Sequence, residues 1–211
     1  TRKLCQCKSC KHQVSITAGT VFHKTRTSLV KWFWLIFLIT NQRTGQSILS
    51  MQRMLNIKAY KTVWLMAQKI RVAMKNRNAF YKLAGLIEMD ETYLGPKKPG
   101  KRGRGAEGKT AIIAGVEIKA DGQAGRGFLS ILEDITKNEI ENIVKTNIEK
   151  TSWLVTDGFK SYNKLVNSGY EVDQIIIGES GNASKLLPKV HHLFSNMKAV
   201  IKGVHKGVKK K

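Results

Sequence analysis

The spacing of apolar residues changes period along the chain, and the changes mark four stretches. Residues 1–26 are basic, carry the cysteines and hold only short patterns. Residues 27–84 are helical in period and poor in Gly and Pro. From residue 86 to 177 strand-like and helix-like segments alternate. Residues 178–211 open on Gly178-Glu179-Ser180-Gly181-Asn182 and then read as a basic helix.

In the helical stretch, Ser47 predicts the N-cap of a helix over Ile48–Leu55, since its hydroxyl can accept from an otherwise unpaired N–H of the first turn. Asn56-Ile57-Lys58 makes a short turn. The next helix carries Tyr60, Val63, Trp64, Ala67, Ile70 and Met74 at spacings of three and four, an apolar stripe for a core. Lys58, Lys61, Thr62 and Lys69 fall largely off that stripe.

Further on, Ile87–Tyr93, Thr110–Ile118 and Gly127–Leu132 read as strands, with Asp121-Gly122 as the turn between the second and third. Thr136 and Glu139 have the spacing of a capping box, and Ile140, Ile143, Val144 and Ile148 form the buried stripe of the helix that follows. Trp153–Thr156 is a fourth strand, a helix runs through Tyr162 and Leu165, and Val172–Ile177 is a fifth strand. Three strands, then helix, strand, helix, strand, predict a mixed α/β sheet with helices on its faces, preceded by a small all-α region.

Charge narrows the function classes. The chain of 211 residues has 37 Lys or Arg against 15 Asp or Glu, a net charge of +22. Its first 87 residues hold sixteen basic residues and no acid. That balance points to a polyanionic partner, nucleic acid or an anionic membrane surface. The longest apolar run, Trp32–Ile39, is eight residues, against roughly 20 needed to span a bilayer, so no membrane span is expected. A helix, a three-residue turn and a longer basic helix match the helix-turn-helix, whose second helix enters the major groove of DNA. An ordinary helical hairpin with a solvated basic face has the same pattern, and the pattern leaves both open. Three cysteines between Cys5 and Cys10 do not make a disulfide framework, so a reducing cytoplasm is the expected compartment. The start on Thr1 and the stop in Lys209-Lys210-Lys211 read as cuts in a longer protein.

Against this basic background two carboxylates stand out. Asp90 follows Leu86-Ile87-Glu88-Met89, and Asp157 follows Trp153-Leu154-Val155-Thr156, each placed at the end of an apolar strand-like run. Two aspartates on neighbouring strands can bridge divalent ions for phosphodiester chemistry, and Mg²⁺ prefers carboxylate oxygen. Singly, each is an ordinary strand-end or turn residue. Glu91 follows Asp90 directly and is expected on the opposite face of the strand; Glu88 shares the face of Asp90 one pleat deeper. Neither is placed in the catalytic set. The loop Lys97-Lys98-Pro99-Gly100-Lys101-Arg102-Gly103-Arg104-Gly105 can follow a DNA backbone, each neutralised phosphate adding to the salt dependence.

Taken together these motifs resemble bacterial insertion-sequence transposases. Met89-Asp90-Glu91-Thr92-Tyr93-Leu94-Gly95, Gly103-Arg104-Gly105, Val155 through Tyr162, and Val190-His191 through Lys198 carry the likeness, with Cys7-Lys8-Ser9-Cys10 and Gly19-Thr20-Val21-Phe22-His23 before them. The resemblance implies a zinc ribbon remnant over 1–26, a helix-turn-helix region over 27–84 and a ribonuclease-H-like catalytic domain over 85–211 with its C-terminus truncated. It implies Asp90, Asp157 and His191 as catalytic, metal-holding residues. Glu is the commoner third residue, and imidazole suits borderline metals better than Mg²⁺, so Mg²⁺ or Mn²⁺ is the expected cofactor. His192 lies about 100° round a helix from His191, so only one of them can face the aspartates. The same resemblance implies Lys198 as a DNA contact, beside Lys58, Lys61, Thr62, Lys101, Arg102 and Arg104. Cys7 and Cys10 form half of a Zn²⁺ site, to be completed by a second Cys knuckle before Thr1. The implied function is cleavage and strand transfer at element ends, with element and target DNA as partners and a homodimer or larger assembly on DNA. A non-catalytic DNA-binding repressor is the alternative, and a structure-selective nuclease a third reading.

Overall fold

The computed structural model describes residues 4–95, 109–133, 135–175 and 186–205. Contacts divide the chain into two units, Thr1–Arg77 and Asn78–Lys211.

In the first unit a hairpin pairs β1 (Leu4–Gln6) with β2 (Gln13–Ser15), and three helices follow: α1 (Leu29–Asn41), α2 (Ile48–Met54) and α3 (Tyr60–Asn78). Ser47 caps α2, its hydroxyl accepting from the Ser50 N–H at 3.1 Å. The turn into α3 passes through Asn56 at φ +47°, a left-handed conformation that Asn tolerates better than most residues. The Gln52 side chain donates to the Lys58 carbonyl at 2.9 Å and closes that turn. Trp32, Leu35, Leu38, Ile48, Met51, Leu55, Val63, Met66, Ala67 and Ile70 form the core. The phase of α3 differs from the expected stripe, because Met66 is buried while Tyr60, Trp64 and Met74 are exposed. Val63 to Ala67 are all apolar, so the pattern there does not fix which side of the helix faces inward.

The second unit is built on a five-stranded mixed sheet of order β5-β4-β3-β6-β7. Its strands are β3 (Leu86–Leu94), β4 (Thr110–Ile118), β5 (Ala124–Leu132), β6 (Trp153–Asp157) and β7 (Glu171–Ile175). The first three form an antiparallel meander, and β6 and β7 add in parallel. The β4–β5 turn places Gly122 at φ +75°, where a side chain would be strained. Residues 176–177 of the expected fifth strand lie outside the described residues.

Helices cover both faces of this sheet. One face packs Ile87, Met89, Ile113 and Leu154 against Ile140, Val144 and Ile148 of α4 (Lys137–Asn147) and its end, with Tyr162 and Leu165 from a 3-10 turn (Lys160–Tyr162) and α5 (Asn163–Asn167). The other face packs Ala114 and Val116 against Leu187, Val190 and Phe194, the last two on α6 (Pro188–His205). Each fully buried aliphatic side chain contributes roughly 1.5–3 kcal/mol. Gly127 on β5 lets α6 approach, since a Cβ there would stand 3.2 Å from Leu193 Cδ2 and 3.0 Å from the Gly115 carbonyl. No described helix is long and apolar enough to cross a membrane.

Glu141 ties α4 to α5, and its burial was not foreseen from the apolar stripe. Its carboxylate accepts from Lys145 Nζ at 2.5 Å, Lys164 Nζ at 2.7 Å and Ser168 Oγ at 2.6 Å. The Lys145 hydrogen bond, then those of Lys164 and Ser168, lower its pKa to about 2. A depressed carboxylate pKa contributes stability that is present above the ordinary Glu value of about 4.3 and is lost as pH falls toward the folded value. Glu141→Gln is therefore expected to lower the melting temperature at neutral pH and to leave it unchanged near pH 2, so that the two curves converge on acidification. Thermal melts over this range check it; a constant offset at every pH would contradict it.

Candidate active site

Strand register brings the two aspartates together. β3 and β6 pair in parallel with Glu88 opposite Val155 and Met89 opposite Thr156, where the pairing ends. One step further lie Asp90 and Asp157. Side chains on neighbouring parallel strands alternate in phase, so both carboxylates leave the sheet on the face covered by α6. Asp157 is the last residue of β6, as expected. Asp90 is not at a strand end: β3 runs on to Leu94 beside β4, and what ends at Met89 is the pairing with β6. Asp90 is buried, and its Oδ1 accepts from the Glu91 N–H at 2.7 Å. Asp157 Oδ1 accepts from the Phe159 N–H at 3.2 Å, which fixes the carboxylate in the turn after β6.

Glu91, which strand alternation sets apart from them, brings its carboxylate close to both. One oxygen each from Asp90, Glu91 and Asp157 lies within 4.8 Å of the other two. Glu91 does start from the opposite face, where the hydroxyl of the fully buried Tyr162 donates to its Oε2 at 2.9 Å. Because β6 has ended its pairing, β3 has no partner on that side at this level, and the longer Glu side chain reaches the cluster. Burial, then the charge of Glu91, holds the Tyr162 phenol well above its ordinary pKa, so it stays a donor.

His191, in the first turns of α6, sets Nε2 3.4 Å from Asp90 Oδ2. That nitrogen is buried and makes no hydrogen bond. Burial first, then Lys198, lowers the imidazole pKa, against an opposing pull from Glu88. A neutral imidazole with a ring nitrogen turned toward a carboxylate is the donor set a divalent ion of the Mn²⁺ type would use, so the residues fit such an ion. His192 is exposed. Lys198 lies two turns along α6, its Nζ donating to Thr92 Oγ1 at 2.8 Å and lying 6.0 Å from the Phe194 ring.

The remaining expected contacts lie elsewhere. Lys58 sits in the turn before α3 and Lys61 and Thr62 in its first turn, the two lysines exposed. Lys101, Arg102 and Arg104 fall outside the described residues. Cys7 and Cys10 are exposed free thiols in the turn between β1 and β2, where Cys7 N–H donates to the His12 carbonyl at 2.9 Å and its own carbonyl accepts from the Lys11 N–H at 3.1 Å. The Ser9 hydroxyl is the main cause of a Cys7 pKa lowered to about 6. Among the described residues, no cluster of three metal-ligating side chains includes a cysteine.

The fold and site define an α/β domain with a carboxylate centre at its middle parallel strand pair. Residues 82–211 match the ISXO2-like transposase domain, and the chain belongs to that family. An uncharacterized protein in transposable element ISH50 of Halobacterium salinarum is 26% identical over 174 residues. The match takes in 75% of this chain and spans 56% of that relative's length. A pre-cleavage Mos1 transpososome aligns at a TM-score of 0.35 and 12% identity, over 83% of this chain and 67% of that one. A Mos1 transposase paired-end complex with left transposon end gives 0.33 and 14%, over 85% and 67%. Superpositions this loose add nothing to the strand order described above.

Proposed function

We propose that this protein is an insertion-sequence transposase that cleaves element ends and joins them to target DNA. The observation that carries the reading is the carboxylate cluster of Asp90, Glu91 and Asp157 with His191 Nε2 3.4 Å from Asp90, in a chain of the transposase family. The sheet order β5-β4-β3-β6-β7 supports a ribonuclease-H-like catalytic domain over 85–211.

Asp90, Asp157 and His191 would hold Mg²⁺ or Mn²⁺, with the Glu91 carboxylate beside the two aspartates. When bound, such an ion polarises a phosphodiester and lowers the pKa of its bound water or hydroxyl. The chain's own part is positional and electrostatic. Asp90 and Asp157 concentrate negative charge at one spot on a protein of net charge +22, so a polyanion approaches while the ion site stays selective for cations. Tyr162 holds Glu91, and Lys198 offers an ammonium to a phosphate on the α6 flank.

In the first unit, α2, the turn at Asn56 and α3 are read as the helix-turn-helix of a 27–84 region, with Lys58, Lys61 and Thr62 toward DNA. The hairpin carrying Cys7 and Cys10 is read as half of a zinc ribbon over 1–26, holding Zn²⁺ only with a second knuckle. Lys101, Arg102 and Arg104 would follow the backbone. Paired element ends favour a homodimer on DNA.

Incubation with element-end oligonucleotides and Mn²⁺ is expected to give a nick that frees a 3′-hydroxyl and then joined products, both abolished by chelation. Salt-sensitive binding with no metal-dependent nicking would instead establish the non-catalytic repressor.

A further inference from the structure

Glu88 is only 4% exposed and takes no part in the chemistry proposed above. It stands one pleat before Asp90 on the same face of β3. Its Oε2 accepts from the backbone N–H of Lys189 at 2.7 Å and of Val190 at 3.0 Å. These are the second and third residues of α6, whose first residue, Pro188, has no N–H to satisfy. The residue before the helix is Leu187, which has no side-chain oxygen to cap it. The cap that a Ser or Asp would supply locally comes instead from a strand about a hundred residues earlier in the chain. A carboxylate against the positive end of a helix also resolves its own burial, because two charge-assisted hydrogen bonds replace its water.

We propose that Glu88 is a positioning residue: by docking the first turn of α6 on β3 it holds His191 at its place against Asp90. Apolar packing of Leu187, Val190 and Phe194 on Ala114 and Val116 holds the helix against the sheet but is non-directional. A rotation of about 100° would carry Val190 and Phe194 out of the core, so this packing sets which side of α6 turns inward but not where along β3 the first turn sits. The directional ties are polar and lie on one strand face. Glu88 meets Lys189 and Val190, Asp90 meets His191, and Thr92 meets Lys198. Four residues of strand span about 13 Å and the eight from Val190 to Lys198 about 12 Å, so helix and strand advance in step between the outer ties. The inference rests on the metal-holding reading of His191.

The test compares two variants that keep the site's polarity. Glu88→Gln keeps the reach to both amides and loses the charge; Glu88→Asp keeps the charge and falls one methylene short. Mn²⁺ is titrated into the folded protein, and its paramagnetic broadening of the assigned His191 and His192 ring signals is followed by NMR. Wild type is expected to show selective broadening of His191. Glu88→Gln should retain this within about twofold, whereas Glu88→Asp should need about tenfold more Mn²⁺ for the same effect, the scale of losing a group that orients a ligand. If Glu88 acted on His191 only through charge, the order of the variants would reverse, and an Asp variant equal to wild type would overturn the proposal. Wild type without His191 broadening would remove the metal reading instead. The Lys189 and Val190 amide proton shifts, read without metal, then decide on Glu88: displacement in Glu88→Asp and not in Glu88→Gln supports docking, and no displacement refutes it.

Discussion

Asp157→Asn is expected to leave folding and DNA binding intact while lowering nicking and joining at least about a thousandfold, some 4 kcal/mol of transition-state stabilisation. The substitution is nearly isosteric. An Asn side-chain oxygen can still accept from the Phe159 N–H, so the turn that ends β6 survives. What disappears is one negative charge from a three-carboxylate cluster whose oxygens lie within 4.8 Å of one another. Such a cluster is costly without a cation, because like charges at this distance repel. Removing one charge should therefore hold the metal-free melting temperature or raise it, even as activity falls. That opposite movement separates a functional carboxylate from a structural one. Asp90→Asn should act alike, its Oδ1 position still serving the Glu91 N–H. Melting curves with and without Mn²⁺, gel-shift binding and a nicking assay on the same preparations check each arm. Nicking at the wild-type rate in Asp157→Asn would end the catalytic assignment.

How much of this was legible follows from which forces act locally. β4 was placed to the residue and α2 and α4 to within one or two, because alternation, a capping hydroxyl and the Asp121-Gly122 turn are written in consecutive residues. The mixed sheet with helices on its faces followed from element order alone. The phase of α3 did not, since five successive apolar residues are compatible with several rotations. Asp90 and Asp157 stand out as isolated acids after apolar strand-like runs and His191 by motif resemblance, whereas the approach of the two aspartates depends on the β3–β6 register, a non-local quantity that no single segment encodes. The same gap explains Glu91. Strand alternation correctly placed it on the far face, but the end of β6 pairing beside it let the carboxylate come round. Glu88 and Glu141 were missed as structural groups for a related reason: each is a charge inside an apolar pattern, and its partners, the α6 amides and Lys164, lie far away in sequence. A charged residue at a core position is the one signal that could have marked both.

The second large effect concerns the third residue. His191→Ala is expected to lower metal-dependent nicking about a hundredfold, and His191→Glu to restore part of it while shifting preference from Mn²⁺ toward Mg²⁺ by about tenfold. A neutral imidazole adds no charge and suits borderline ions, whereas a carboxylate is hard and anionic. The present site keeps its imidazole neutral through burial and through Lys198 on the same helix, which makes the ring a donor to a cation and not a competitor for it. A Glu at this position would bring a fourth acid against Asp90, Glu91 and Asp157. Without metal the variant should melt several degrees lower, through repulsion and the burial of an unpaired charge. Mg²⁺ should recover more of that loss than Mn²⁺ does in wild type, because the added stability follows the ion's affinity for the folded state. Nicking rates and melting curves across both ions measure the two effects together. An unchanged Mg²⁺-to-Mn²⁺ ratio in His191→Glu would mean that the imidazole lies beside the ion site without binding there, and that the 3.4 Å approach to Asp90 serves only to orient the carboxylate.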